Sequence, residues 1–232
     1  MSYLWQEFNI KTFPAETLVF RDGVFCEELS DYKNAEFKNN IINIKKIDKL
    51  PFHIIYIGKI SNDNDLNINI LSTAENTKVI LTSKIENENP AFLNIFIKNA
   101  GKNSKINGQI ISINKNSLKI NVKGEHLSEN TGIFVKTRVM SYKNTNTELN
   151  GYAIINKNSP YCESDISFSV MADENAKIIM KPTQFINSIP ENASHSASLY
   201  KPNDNQIIYL RESGLSGEEI KTVFTEAFLS LI

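Results

Sequence analysis

The 232-residue sequence predicts a mainly β chain that ends in two helices, and three observations carry that expectation. Short Ile- and Val-rich runs alternate with polar residues through the middle of the chain, the period-two pattern of strands with one buried face. The runs recur every 10–14 residues, broken by Asn, Asp, Ser and Gly. After about residue 200 the period changes to that of a helix.

The chain divides into three parts. Residues 1–50 form a mixed N-terminal segment, 51–190 the β core, and 191–232 a C-terminal helical segment. In the first part, Asp22-Gly23 between Leu18-Val19-Phe20 and Val24-Phe25 signals a hairpin. The polar stretch from Asp31 to Asn40 reads as a loop or an exposed helix. The core contains His53–Ile57, Leu66–Ile70, Lys78–Leu81, Leu93–Ile97, Gln109–Ile113, Leu118–Val122, Ile133–Val135, Tyr152–Ile155, Ile166–Val170 and Ala176–Met180. This spacing suits a sandwich, a barrel or a β-helix. Asn107-Gly108 and Asn150-Gly151 are the two candidate hairpin turns there, and their scarcity favours coiled, parallel stacking.

Asn203 caps a short helix with Gln206 at the reciprocal position, and Gly214 stops it. Ser216-Gly217-Glu218-Glu219 is a second capping box. Behind it, Ile220, Val223, Phe224, Ala227, Phe228 and Leu231 form one apolar stripe. That stripe either packs on the β core or docks a partner.

Composition excludes several functions. A formal net charge of −1 provides no global field for nucleic acid or an anionic membrane. No apolar run approaches the roughly 20 residues of a membrane span, and no signal-peptide pattern opens the sequence, so the expected location is cytoplasmic. Cys26 and Cys162 lie far apart, as expected of two free thiols in a reducing compartment. No phosphate-binding loop, nucleophile elbow or zinc-protease motif occurs, so no nucleotide is expected to bind this chain and it is not expected to be an enzyme. Asn, Ile and Lys are heavily used, which nucleotide bias explains, so Asn content alone supports no argument. Of the three histidines, His53 reads as structural and His126 as solvated. His195 sits among small residues that let a ligand or another chain approach.

The last third also carries a specific likeness. Pro182-Thr183-Gln184-Phe185-Ile186, then Ala193-Ser194-His195-Ser196-Ala197, then Tyr209-Leu210-Arg211-Glu212-Ser213-Gly214-Leu215 follow one another as P-x-L-x-I, C-S-H-G-A and Tyr-Leu-Arg-helix segments do in the SufB/SufD family. Asn150–Ile154 resembles that family's F-x-G-x-I strand, Ser169–Ala176 its L-L-L-S-x-x-A turn, and Leu18–Ser30 its V-F-x-D-G-x-F-x-x-x-L-S stretch. The chain resembles a short, divergent, SufD-like member. The resemblance implies a right-handed parallel β-helix capped by helices. It also implies a role as a non-catalytic subunit in iron–sulfur cluster assembly, where a transient cluster is the cargo. The implied partners are a SufC-like ABC-type ATPase and either a second copy or a SufB-like paralogue.

Carried over by position, His195 matches the interface histidine and is a candidate iron ligand. Tyr209, Leu210, Arg211, Leu215, Phe224 and Phe228 fall in the region that would face or support the ATPase. Aligned on Pro182, the scaffold-cysteine position holds Ser167, and the cysteine of the C-S-H segment is replaced by Ala193. Ser194 and Ser196 stand where SufB-type chains have glutamates. Hydroxyl and methyl groups do not replace thiolate for iron–sulfur chemistry. Cys162, a few residues earlier, is the candidate substitute after a local shift. The alternative is a structural or binding β-helix with no role in metal chemistry.

Overall fold

In a computed structural model, residues 16–30, 32, 35–38, 41–46, 51–60 and 65–230 are described. The chain is a parallel β-solenoid of about five turns followed by two helices. Strands β1 (Thr17–Arg21), β2 (Val24–Phe25), β5 (Phe52–Ile60), β7 (Lys78–Asn87), β9 (Lys105–Asn114), β11 (Gly132–Ser141), β13 (Glu163–Ala172) and β15 (Asn192–Tyr200) form one sheet. Strands β3 (Ala35–Lys38), β4 (Ile41–Ile44), β6 (Leu66–Ser72), β8 (Ala91–Asn99), β10 (Ser117–His126), β12 (Asn146–Ile155) and β14 (Lys177–Ile186) form the other. The chain alternates between the sheets. Among the described residues only the β1–β2 and β3–β4 pairs are antiparallel; every other pairing is parallel.

One coil takes 27 residues in the middle of the solenoid, so side chains of like kind stack in columns. Phe52, Val79, Ile106 and Ile133 pair in register, as do Leu66, Leu93, Ile120 and Leu149. These columns face inward, and all their members are buried except Leu66, which is partly so. Each burial of a Leu- or Ile-sized side chain contributes about 1.5–3 kcal/mol.

The corners are polar, and there the structure corrects the composition argument, because asparagine has defined positions. Asn76, Asn103 and Asn130 recur once per coil with φ of 54°, 57° and 54°, a left-handed bend that Asn tolerates well. Asn87 Nδ2 donates to Asn114 Oδ1 at 3.1 Å inside one corner. On the outer face Asn94, Asn121 and Asn150 each donate to the asparagine one coil earlier, at 3.0, 2.7 and 2.9 Å. These bonds satisfy amides that would otherwise be costly to bury.

Asp22 and Gly23 make the expected hairpin turn, with β1 and β2 paired antiparallel. Asn107-Gly108 and Asn150-Gly151 do not make turns; both lie inside strands. At Gly151 an added Cβ would sit 2.9 Å from both Ile166 Cγ2 and Phe168 Cζ, so the absent side chain makes room for Phe168 across the core. Ala35–Lys38, in the stretch read as loop or helix, is a strand; Asp31, Lys33, Asn34, Asn39 and Asn40 of that stretch lie outside the described residues. Strand β15 continues the solenoid beyond residue 190, and the first helix begins at Asp204.

Candidate functional site

Among the described residues the solenoid ends without a cover. Among the described residues β15 pairs only with β13, and β14 only with β12. Ala193, His195, Ala197 and Leu199 occupy the inward columns, opposite Ser164, Ile166, Phe168 and Val170, which are all buried. In β15, however, no further coil among the described residues lies over these positions, and Leu199 is 60% exposed. Across the end, Ile186 of β14 is also open, while Gln184 Nε2 is out of water with no partner among the described residues. Two parallel strands therefore present free edges beside an apolar floor, the combination that templates pairing with another chain.

His195 stands on this end. Its partner in the register is Ile166, so the imidazole belongs to an inward column, yet the residue is exposed. Ser167 pairs with Ser196, one residue along, and so lies on the outer face of the same sheet. Ser167 and His195 thus point to opposite sides.

Cys162 is fully buried, with Sγ 3.2 Å from Thr131 Oγ1 and donating to the Ser128 carbonyl at 3.3 Å. It continues a corner column of Thr77, Ser104 and Thr131, joined by backbone bonds between successive coils. A small buried polar group is what that column requires, and the thiol fills the place. Ser167, on the other face of the sheet, and Cys162, in the corner, do not converge on His195, and no group of three or more His, Cys, Asp or Glu among the described residues is placed to hold a metal. The donor set of this chain alone does not fit an iron–sulfur cluster.

His126, read from the sequence as solvated, is fully buried in the same corner. Its Nδ1 lies 2.7 Å from Thr131 Oγ1, and burial pulls its pKa down to about 4, outweighing the upward pull of the Thr131 backbone. Half-buried His53 is also lowered, first by desolvation and then by Lys78.

Helices α1 (Asp204–Glu212) and α2 (Gly217–Ser230) follow β15 after three residues. Asn203 and Gln206 form the expected capping box. Ser216 and Glu219 form the second, with Ser216 N donating to Glu219 Oε2 at 2.8 Å and Glu219 N to Ser216 Oγ at 3.3 Å. Ile220, Phe224, Phe228 and Leu229 pack on Ile111, Ile113, Met140 and Met171, on the outer face of the β15-containing sheet. Leu210 and Leu215 are partly buried against the same cluster. Two cations fasten α2 to the solenoid: Arg138 Nη1 of β11 donates to the Phe228 carbonyl at 2.6 Å, and Lys221 of α2 itself meets Asp173 at 2.5 Å and lies 4.3 Å from the Tyr142 ring centroid.

The apolar stripe therefore splits. Phe224 and Phe228 are buried on the chain's own sheet, so within the region read as facing or supporting an ATPase their place is beneath the hairpin and not on its open surface. Tyr209 and Arg211 are exposed, and Tyr209 at 69% is the most open aromatic described. Ile208 and Val223 join them as exposed apolar residues, with Asp204, Glu212, Glu218, Glu219 and Glu226 also exposed on the hairpin. Ile208 was missed because its neighbours carried the helical period, and Val223 was counted with the buried stripe.

The family model for the SUF system FeS cluster assembly, SufBD core domain, matches residues 58–228. The chain belongs to the SufB/SufD family. The SufBD match runs from within β5 to near the end of α2, so it takes in the open coil and the hairpin. Membership places this SufB/SufD chain among the iron–sulfur cluster assembly proteins of the SUF system, whose components work as complexes. No curated protein matches the chain. No helix among the described residues is long and apolar enough to cross a membrane.

Proposed function

We propose that the chain is a non-catalytic, cytoplasmic subunit of an iron–sulfur assembly complex, pairing through its open last coil and docking an ABC-type ATPase on the α1–α2 hairpin. The observation that carries this reading is the uncovered end, where two strand edges and the inward column of Ala193, His195, Ala197 and Leu199 lie exposed. A second copy or a SufB-like paralogue placed there would cover the floor and meet His195. A cluster handled at such a seam is cargo, and its sulfur ligands come from the partner, because Ser167 and Ala193 supply none.

The hairpin reading rests on Ile208, Tyr209 and Val223, apolar side chains left open on helices whose other sides, Ile207 and Leu210 of α1 and Ile220, Phe224 and Phe228 of α2, pack towards the sheet. Co-expression with a SufC-like ATPase and sizing chromatography tests it. The parent chain co-elutes with the ATPase, and Tyr209→Asp with Val223→Asp does not, while both keep the same circular dichroism. Equal binding by the double variant would remove the hairpin from the account. The reading of a β-helix without a part in metal chemistry draws on the absence of a thiolate beside His195. Anaerobic reconstitution of the paired complex separates the two, since iron retention that depends on His195 excludes the purely structural role.

A further inference from the structure

We infer that Tyr200, Phe228 and Arg138 act as a latch through which the hairpin positions β15 and, with it, His195. The inference rests on the reading of β15 as the seam strand, but its test needs no partner protein. Among the described residues strand β15 has one strand neighbour and an uncovered inner side, and of its nine residues only Ala193 is not exposed. Its outer side is fastened near its end. Ser198 and Ser169 hydroxyls lie 2.9 Å apart, and the Tyr200 ring stacks on Phe228 of α2 with centroids 5.5 Å apart and planes 24° from parallel.

Phe228 is held in turn by Arg138 of β11. The guanidinium donates to the Phe228 carbonyl and lies 5.6 Å from its ring centroid. Burial lowers the Arg138 pKa, as expected for a cation sandwiched under a helix. Arg138, Ser169 and Ser198 form one outward row on β11, β13 and β15. The two serines are short, and α2 reaches across them from Arg138 to Tyr200. Residues 201–203 link β15 to α1 and span at most about 10–14 Å across the intervening bonds. A shift of the hairpin is thereby drawn on Tyr200, on the outer face of the strand whose inner face carries His195. Tyr200, Phe228 and Arg138 are positioning residues; none touches the seam itself.

Hydrogen exchange of the full chain tests the latch, with sedimentation recorded alongside so that variants are compared in the same state of association. Tyr200→Ala speeds exchange of the amides of residues 194–199 roughly tenfold, the scale of one lost aromatic pair, and leaves β9 and β11 unchanged. The His195 ring resonance, resolved from those of His126 and His53, shifts in that variant. Tyr200→Phe restores both readouts. Arg138→Gln reproduces the β15 change although it lies two coils away. Unaltered β15 exchange in Tyr200→Ala, an Arg138→Gln variant like the parent, or a uniform rise in all coils overturns the latch. Failure of an ATPase to bind overturns the docking role instead and leaves these outcomes untouched.

Discussion

Lowering the pH from 7 to 4.5 destabilises this protein through one buried imidazole, and the size of the effect follows from its surroundings. His126 is fully buried, Nδ1 is engaged by Thr131, and Nε2 has no partner among the described residues. A proton on Nε2 would place an unpaired charge in the solenoid interior, so burial sets the folded pKa at about 4, against 6.5 for a free imidazole. Between those values the unfolded chain binds more protons than the folded one. Stability is therefore full above pH 6.5, falls as the pH drops from 6.5 towards 4, and levels off below. At 1.36 kcal/mol per unit, the fall by pH 4.5 is about 3 kcal/mol. Urea unfolding at pH 7 and pH 4.5 measures it, with His126→Asn as reference, since Asn99 holds the equivalent place one coil earlier. The parent should lose about 3 kcal/mol more than the variant across that interval, a large part of a typical domain's stability. Equal losses in parent and variant would refute the reasoning, because carboxylates common to both would then account for the whole effect.

Two further outcomes test the packing and the site. Gly151→Ala forces a Cβ against Phe168 and Ile166 and should cost about 1–3 kcal/mol in thermal or urea unfolding, with Phe168→Leu in the same chain recovering part of it. Cys162→Ser, in a column of Thr77, Ser104 and Thr131, should change stability by no more than about 1 kcal/mol and leave iron retention by the assembled complex as it was; loss of iron would restore the thiol as a ligand.

Much of the solenoid was legible because its strands bury one face, and residues such as Ile68, Ile95 and Val122 impose the period-two pattern. The caps of both helices were legible for a local reason, since Asn203 with Gln206 and Ser216 with Glu219 need only their neighbours. Strand β15 was not, because Asn192 to Ser198 contains no β-branched or aromatic residue. Its conformation is imposed by pairing with β13. The Asn-Gly pairs misled because a parallel coil uses glycine for close approach across the core as well as for turning, as Gly151 does beneath Phe168. The stripe on α2 announced an apolar face but not its counterpart, which lies on β9, β11 and β13. Arg138, 90 positions from Phe228, left no local signal. His195 drew notice for its small neighbours, but its place at a seam came from the family likeness. That Ser167 faces away from it, and that Cys162 closes a corner, depends on register that a single sequence does not contain.

The mass of the assembled particle tests the pairing of open coils most directly. Sedimentation equilibrium of the parent chain, alone and mixed with a SufB-like paralogue, should show a two-chain species in at least one case. Ala197→Arg, which sets a guanidinium on the uncovered floor next to His195, should reduce it to single chains with unchanged circular dichroism. A parent that stays a single chain under both conditions, or a variant that pairs as the parent does, contradicts the account.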